Sequence, residues 1–316
     1  MTNSVRSAIL LVGGMGTRMQ PLTLSTPKPM LELMGRPITE HQILKARDAG
    51  IEEIVLATSF KSEVFAPHFG DGSNFGIKIS YAVEEVALGT GGAIRNAARY
   101  LQSDGPTMIF NGDVLSMHSL EDQMKFHSDN NAEVTLYLTQ VEDARPFGVV
   151  ELDSNNRITS FREKMENPPT NVINAGCYIF NRSAIEAIPE GDVVSVERAT
   201  FPTLLERGAQ LFGFLDASFW LDVGNPRALL AATRELLRRE NKSFAVGSNV
   251  ALADTAKIHD SYIGADSSVS ADSTITNSIL GRGVQVGESV HLANSFVADG
   301  VEIPAGYIAD GEFFGF

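Results

Sequence analysis

The stretch Ala8-Ile-Leu-Leu-Val-Gly-Gly-Met-Gly-Thr-Arg-Met-Gln-Pro-Leu-Thr23 decides the fold. Its first five residues are continuously apolar, as in a short strand buried on both faces. Gly13, Gly14 and Gly16 follow within four positions. Glycines at this spacing admit positive φ and let the backbone approach a ligand closely. Successive N–H groups in such a loop form a concavity that binds anions. Arg18, and Lys28 within Pro27-Lys-Pro29, add two positive charges. Arginine grips phosphate oxygens bidentately, and lysine supplies a compact point charge. The spacing is neither Gly-x-Gly-x-x-Gly nor the P-loop, which ends Gly-Lys-Ser/Thr. No turn type demands an arginine beside so many glycines. The two prolines around Lys28 argue against a mobile surface lysine.

Outward from this stretch the chain alternates strand-like and helix-like segments. A helix is expected from Pro37 to about Gly50, with proline at its start and glycine after its end. Strands are expected at Ile51 to Ala57, Ile77 to Val83, Thr107 to Phe110, Val134 to Leu138 and Ala175 to Phe180, with a helix over Gly91 to Leu101. Such alternation implies an α/β, Rossmann-like domain with a mostly parallel, mixed sheet, whose ligands bind beyond the carboxyl ends of the strands. That points to the loops after Val12, Val83 and Phe110. A further helix is expected over Pro226 to Arg239, closed by two arginines that suit a helix C-terminus.

After Lys242 the texture changes to short β-branched residues, Gly, Ser and Asp. Asp260-Ser-Tyr-Ile-Gly264 recurs as Asn277-Ser-Ile-Leu-Gly281 and Asn294-Ser-Phe-Val-Ala298, 17 residues apart each time. An aliphatic residue follows six positions on in each copy: Ile263 and Val269, Leu280 and Val286, Val297 and Ile303. This is the grammar of a β-helix, which stacks one aliphatic residue per face on the turn below. The expected organisation is a catalytic domain at 1–240 and a short left-handed β-helix of hexapeptide repeats at 241–316.

The 316 residues carry a net charge of -14, with 43% hydrophobic and 20% charged residues, an ordinary globular composition. Such acidity disfavours nucleic acid and anionic membranes as partners. It leaves a small phosphate ligand open, since local donors and a metal hold one. One cysteine, Cys177, fits a reducing compartment and reads as a small core residue. Five apolar residues before Gly13 fall short of the roughly 7–15 of a secretory core. No run reaches the roughly 18–20 of a membrane span, so a cytoplasmic enzyme is expected.

The string from Gly13 to Pro29, Gly-Gly-x-Gly-Thr-Arg, Pro-Leu-Thr and Pro-Lys-Pro, resembles the signature of the sugar-1-phosphate nucleotidyltransferases. Glu84 to Ala93 (EEVALGTGGA) resembles the second nucleotide loop of that family. Asn111-Gly112-Asp113 resembles its metal-binding aspartate at a strand end. Phe161-Arg-Glu-Lys164 matches its Glu-Lys motif, Asn174-Ala-Gly176 its sugar-binding strand, and Trp220-Leu-Asp-Val-Gly224 the segment of its second metal aspartate. Leu88-Gly-Thr-Gly91, Ser195-Val-Glu-Arg198, Phe201-Pro202 and the β-helix tail bring the likeness nearest to the mannose-1-phosphate guanylyltransferases.

The resemblance implies in-line attack of a sugar-phosphate oxygen on the α-phosphorus of a nucleoside triphosphate, with Mg²⁺ held by Asp113 and Asp222 and no protein nucleophile. The substrates it implies are GTP and mannose 1-phosphate. The catalytic residues are then Arg18, Lys28, Asp113, Lys164 and Asp222. Leu11, Gly13, Gly14, Gly16, Thr17, Glu84, Gly89 and Thr90 hold the nucleotide. Gly112, Gly148, Glu163, Lys164 and Asn174 hold the sugar phosphate. Glu84 suits guanine, because an ionised carboxylate is acceptor-only and meets the adjacent N1–H and 2-amino donors. Bland alternatives stand beside these roles. Asp113 is an ordinary turn residue, Asp222 caps the helix near Pro226, Glu163 and Lys164 form a surface ion pair, and Glu84 is a surface glutamate. Other functions are a dTTP- or UTP-dependent relative using glucose 1-phosphate, a silent regulatory homologue, and an acyltransferase built on the β-helix. The flank of a short β-helix implies a homo-oligomer through the C-terminal domain.

Overall fold

The computed structural model describes residues 4–14, 16–59 and 62–316. Met15 of the glycine-rich loop lies outside them. The chain packs as two units, Met1–Gly14 with Thr39–Trp220, and Met15–Ile38 with Leu221–Phe316.

The first unit is built on a sheet that has nine strands among the described residues. They are β1 (Ser7–Leu11), β2 (Glu53–Thr58), β3 (Lys78–Val83), β4 (Thr107–Asn111), β5 (Val134–Gln140), β6 (Gly148–Leu152), β7 (Ile158–Glu163), β8 (Val172–Phe180) and β9 (Leu211–Leu215). The path runs β7-β6-β8-β4-β1-β2-β3, with β5 joining β8 to β9. Strands β3, β2, β1 and β4 are parallel neighbours, as are β5 and β9. Strand β8 runs antiparallel to β4, β5 and β6, and β7 antiparallel to β6. The sheet is therefore mixed, and its parallel part lies where the glycine-rich loop leaves it.

Helices α1 (Ile38–Asp48), α2 (Gly89–Ala97) and α3 (Leu120–Asp129) belong to this unit's sequence range apart from the first residue of α1. The Ser119 side chain caps α3 by accepting from the Asp122 N–H at 3.0 Å. Ile9, Val55, Ile109, Leu136, Tyr178 and Phe201 lie in one buried apolar cluster about the sheet. Cys177 is 2% exposed, and burial pushes its thiol up to about 12, so it is an inert core residue. Pro37 does not open α1. It pairs with Glu32 in a two-stranded ribbon, and α1 starts one residue later.

In the second unit, helix α4 (Pro226–Arg239) leads into three-sided coils, the left-handed β-helix expected from the repeats. Three parallel sheets of five, four and four strands form its faces. Ile263, Val269, Ile275 and Leu280 stack inside, at steps of six, six and five residues. The 17-residue period is thus two hexads and one short corner. At that corner Asp260, Asn277 and Asn294 take φ of 50°, 45° and 51°. Left-handed backbone of this kind suits Asn and Asp better than other non-glycine residues. The serine after each is fully buried, and its hydroxyl accepts the backbone N–H one turn on: Ser261 from Ser278 at 3.0 Å, and Ser278 from Ser295 at 3.1 Å. No helix among the described residues is long and apolar enough to cross a membrane.

Candidate active site

In the first unit, candidate residues gather at the carboxyl ends of the parallel strands. In register, Leu11 lies between Ala57 and Asn111, and Thr58 faces Val83. The chain leaves these ends as Gly13, Ser59, Glu84 and Asp113. Ser59 ties two of the exits together, its hydroxyl donating to the Gly13 carbonyl at 2.6 Å. Among the described residues, a Cβ on Gly14 would meet nothing within 4 Å, so protein packing does not demand glycine there. At Gly112 it does. The Gly112 N–H donates to the Leu11 carbonyl at 3.0 Å, and a Cβ would stand 2.5 Å from that oxygen. The turn that carries Asp113 is thereby drawn against β1.

Glu84 is half-buried. Its Oε2 accepts the Leu88 N–H at 3.2 Å, while its Oε1 is buried with no hydrogen-bond partner among the described residues. Burial, partly offset by the Leu88 N–H, holds the carboxyl above its ordinary range. The following loop is braced by the segment Val194 to Glu197. Gly91 and Gly92 donate their N–H groups to the Val194 carbonyl, at 2.8 and 3.3 Å. That bracing explains why α2 starts at Gly89, two residues earlier than its composition suggests. The Thr90 hydroxyl donates to Glu197 Oε2 at 2.9 Å and accepts the Val196 N–H at 2.8 Å. Ser195 donates to the same carboxylate oxygen at 2.8 Å.

Glu163 closes β7 opposite Gly148, whose bare Cα leaves room for its carboxylate: a Cβ there would lie 3.0 Å from Oε2. Desolvation first, then the charge of Glu197, raises the Glu163 pKa, against Lys164 and Arg198. Lys164 Nζ lies 3.7 Å from Glu163 Oε1, with its side chain 60% exposed, so the surface ion pair exists. Its backbone is unusual, with φ at 53° held by an N–H donated to the Phe147 carbonyl at 3.0 Å. A lysine in this region costs about 1–3 kcal/mol, and such strain concentrates at functional positions. Asn174 sits at an irregularity of β8, donating to the Tyr178 hydroxyl at 2.8 Å and accepting the Gly176 N–H at 3.2 Å.

The second unit holds Gly16, Thr17, Arg18, Lys28 and Asp222. Gly16 has φ 62° and its Cα sits so close to Lys28 that a Cβ would stand 2.8 Å from the lysine Cβ. The Gly16 carbonyl accepts the Thr23 hydroxyl at 2.9 Å. Thr17 and Arg18 are exposed in the turn Thr17–Met19, which is anchored by the fully buried Met19. Lys28 is only 6% exposed, which removes the surface-lysine alternative, and its Nζ lies 3.7 Å from Asp222 Oδ1. Asp222 is not the cap of α4. Asn225 is, its side chain accepting the Ala228 N–H at 3.0 Å.

Among the described residues, no three His, Cys, Asp or Glu groups converge as a metal cage. Mg²⁺ needs none, since it takes one or two carboxylates and completes its shell with phosphate oxygens and water. Asp113 and Asp222 are hard oxygen donors of that kind. Gly224 leaves space beside the second of them, for a Cβ there would lie 3.0 Å from Asp222 Oδ2. The donor set fits the ion.

Two residues that brace these loops, Ser59 and Glu197, are not legible in the sequence, because their partners Gly13 and Thr90 lie 46 and 107 positions away.

The family model described as nucleotidyl transferase matches residues 7–239, and the GlmU-like C-terminal hexapeptide model matches residues 232–310. A protein of Mycobacterium tuberculosis named mannose-1-phosphate guanylyltransferase is 44% identical over 96% of this chain and 82% of its own. A Saccharomyces cerevisiae mannose-1-phosphate guanyltransferase is 36% identical over 77% of this chain and 69% of its own. The crystal structure of HddC from Yersinia pseudotuberculosis complexed with GMP-PN superposes with a TM-score of 0.63 at 25% identity, covering 73% of this chain and 100% of that one. The glycine-rich exit from β1, the aspartate turn after β4 and the hexapeptide coil thus occur together in a chain that belongs to the nucleotidyl transferase family.

Proposed function

We propose that this protein transfers a guanylyl group from GTP to α-D-mannose 1-phosphate, giving GDP-mannose and pyrophosphate. The observation that carries the choice of base is Glu84, whose Oε1 is buried with no hydrogen-bond partner among the described residues, beside an Oε2 already engaged by Leu88. Guanine offers two adjacent donors to such a carboxylate. The names of the relatives from Mycobacterium tuberculosis and Saccharomyces cerevisiae support the same substrates.

In the proposed reaction a phosphate oxygen of the sugar phosphate forms a bond to the α-phosphorus. The bond from that phosphorus to the β-phosphate oxygen breaks, and pyrophosphate leaves with the electron pair. Leu11, Gly13, Gly14, Gly16 and Thr17 present backbone to the triphosphate, and Arg18 and Lys28 stabilise the departing pyrophosphate. A preorganised charged donor of this type is worth about 10²–10³ in rate. Glu84, Gly89 and Thr90 form the nucleoside side. The Thr90 hydroxyl is already engaged with Glu197, so its contribution is to hold the loop. Gly112, Gly148, Glu163 and Asn174 receive the sugar, and Lys164 the attacking phosphate. Nucleotidyltransferases of this kind generally use a divalent metal. Asp113 and Asp222 are the proposed carboxylates for Mg²⁺, which when bound reduces repulsion between the two anions and stabilises charge on the leaving group.

The proposal extends to a cytoplasmic enzyme with a catalytic domain at 1–240 and a repeat domain at 241–316. It further extends to a homo-oligomer through the repeat domain, supported by Ile308 and Phe313, which are 73% and 40% exposed on the last coil. A monomer in sedimentation at micromolar concentration removes the oligomer. For the reaction, pyrophosphate release is measured with Mg²⁺, pairing GTP, dTTP, UTP and ATP with mannose 1-phosphate and glucose 1-phosphate. Release with GTP and mannose 1-phosphate alone is expected. Preference for another pair overturns the substrate assignment, and silence with all of them overturns the activity.

A further inference from the structure

The turn that carries Asp113 is gripped from a second side by a residue with no assigned role. Gln42, on α1, is 7% exposed. Its Nε2 donates one hydrogen to the Asn111 carbonyl at 2.8 Å and the other to the Val114 carbonyl at 2.9 Å. Those carbonyls are the first and last of the four-residue segment Asn111-Gly-Asp-Val114, so one carboxamide spans the turn. One helical turn on, Lys45 Nζ donates to the Ser116 carbonyl at 2.8 Å, bracing the short strand Val114–Ser116 in which the turn ends. On the opposite side Gly112 is tied to Leu11 at 3.0 Å. Gln42 makes its two bonds although its Oε1 is buried with no hydrogen-bond partner among the described residues. An unsatisfied buried acceptor is unfavourable. A side chain selected only to fill this space would be leucine or methionine. The feature that requires an amide is the pair of carbonyls on either side of Gly112 and Asp113.

We propose that Gln42 is a positioning residue for Asp113, its carboxamide clamping the two carbonyls that flank the aspartate and so fixing where that carboxylate can point. The proposal rests on the reading of Asp113 as a ligand of the divalent ion. Groups that orient a ligand from behind contribute about 10–100-fold to metal affinity. Gln42 touches neither substrate nor metal, and its effect passes entirely through the turn.

The test uses the full chain and Mn²⁺ as probe. Binding is followed by water-proton relaxation with GTP present and no sugar phosphate, so no turnover contributes. Gln42→Met keeps the volume and removes both donors, and Gln42→Glu keeps the shape and replaces the amide with a carboxyl. Both are expected to weaken Mn²⁺ about 10-fold. Gln42→Glu should regain part of the affinity as pH is lowered, because the protonated acid can donate to one carbonyl; Gln42→Met should not. Ser7→Ala is the control for mere loss of stability. It removes a buried hydroxyl 3.1 Å from Thr107, at the amino end of β4, and should leave Mn²⁺ binding unchanged. Asp113→Asn separates the two levels of the argument. Should Asp113→Asn lose Mn²⁺ while both Gln42 variants stay within twofold of wild type, the clamp is wrong and the ligand stands. Should Asp113→Asn bind Mn²⁺ normally, the ligand assignment falls and the clamp with it.

Discussion

Replacing Glu84 by glutamine changes one atom and tests the base assignment. The carboxylate has one oxygen on the Leu88 N–H at 3.2 Å and the other buried with no hydrogen-bond partner among the described residues. Guanine would supply N1–H and the 2-amino hydrogen to it. Hydrogen bonds to a charged group contribute about 1.5–3 kcal/mol each. The amide of Gln has one oxygen, so either Leu88 or the base must face an N–H₂ group, donor against donor. The expected loss is about 2–3 kcal/mol, or about 30- to 150-fold in kcat/KM for GTP. For dTTP, whose base edge mixes acceptor and donor, kcat/KM should hold or rise. Folding should move the other way. Burial raises the Glu84 pKa, so the native state holds its proton to higher pH than the unfolded chain does. Stability attributable to this group is therefore intact at low pH and is lost as pH rises through the folded pKa. A neutral glutamine escapes that cost, and the variant at neutral pH should melt no lower than wild type. Steady-state pyrophosphate release and a thermal melt together make the assay. A kcat/KM for GTP within threefold of wild type, with discrimination against dTTP intact, would refute the assignment.

Two further outcomes follow from buried polar groups. His118 is stacked on Tyr137 at 3.7 Å, and burial first, then the charge of Lys45, holds its pKa at about 3 instead of 6.5, against weaker raising effects from Gln123 and Asp216. The unfolded chain takes up that proton first, so stability is complete above about pH 6.5 and drains as pH falls toward 3, by about 2 kcal/mol at pH 5. His118→Gln should flatten the change in urea midpoint between pH 7 and 5; an unaltered pH slope rejects this account. In the coil, Ser278→Ala strands the buried Ser295 N–H that its hydroxyl accepts at 3.1 Å, at a cost of about 1–3 kcal/mol by denaturant titration. No measurable loss would show that the serine ladder is incidental to the short corner.

The parts of the molecule legible in the sequence are those fixed by local pattern. A five-residue apolar run beside glycines is a buried strand, and β1 ends at Leu11 with the loop immediately after it. The 17-residue echo is legible because each aliphatic residue stacks on its own kind, Ile263 on Leu280 on Val297. Helix α4 has the limits its proline and paired arginines imply. What was illegible depends on distant partners. Strands β6, β7 and β9 are not legible, because each is placed by a distant partner: β6 by β8, β7 by β6 and β9 by β5. Gln42 reads as an ordinary helical residue until the Asn111 carbonyl, 69 positions on, is brought beside it. Asp222 and Asn225 both suit a helix cap by composition, and the choice between them is geometric.

An acidic protein that handles two phosphate substrates invites an electrostatic objection, and the site answers it locally. Charges further off than about 8–10 Å are largely screened at physiological salt. A group 4 Å away near a protein surface contributes on the order of 4 kcal/mol. The net charge of -14 is thus a weak opponent of a few close cations. Both lysines proposed for phosphate have a carboxylate at 3.7 Å, Lys28 with Asp222 and Lys164 with Glu163. That distance is longer than an N–H···O hydrogen bond, so each pair neutralises charge without the tightest geometry. Pairing keeps a buried cation such as Lys28 tolerable before substrate arrives. Once a phosphate competes for the lysine, the carboxylate needs a new positive partner. A divalent ion held there would meet the need, and this charge balance supports the proposal that Asp222 serves Mg²⁺ as well as Lys28.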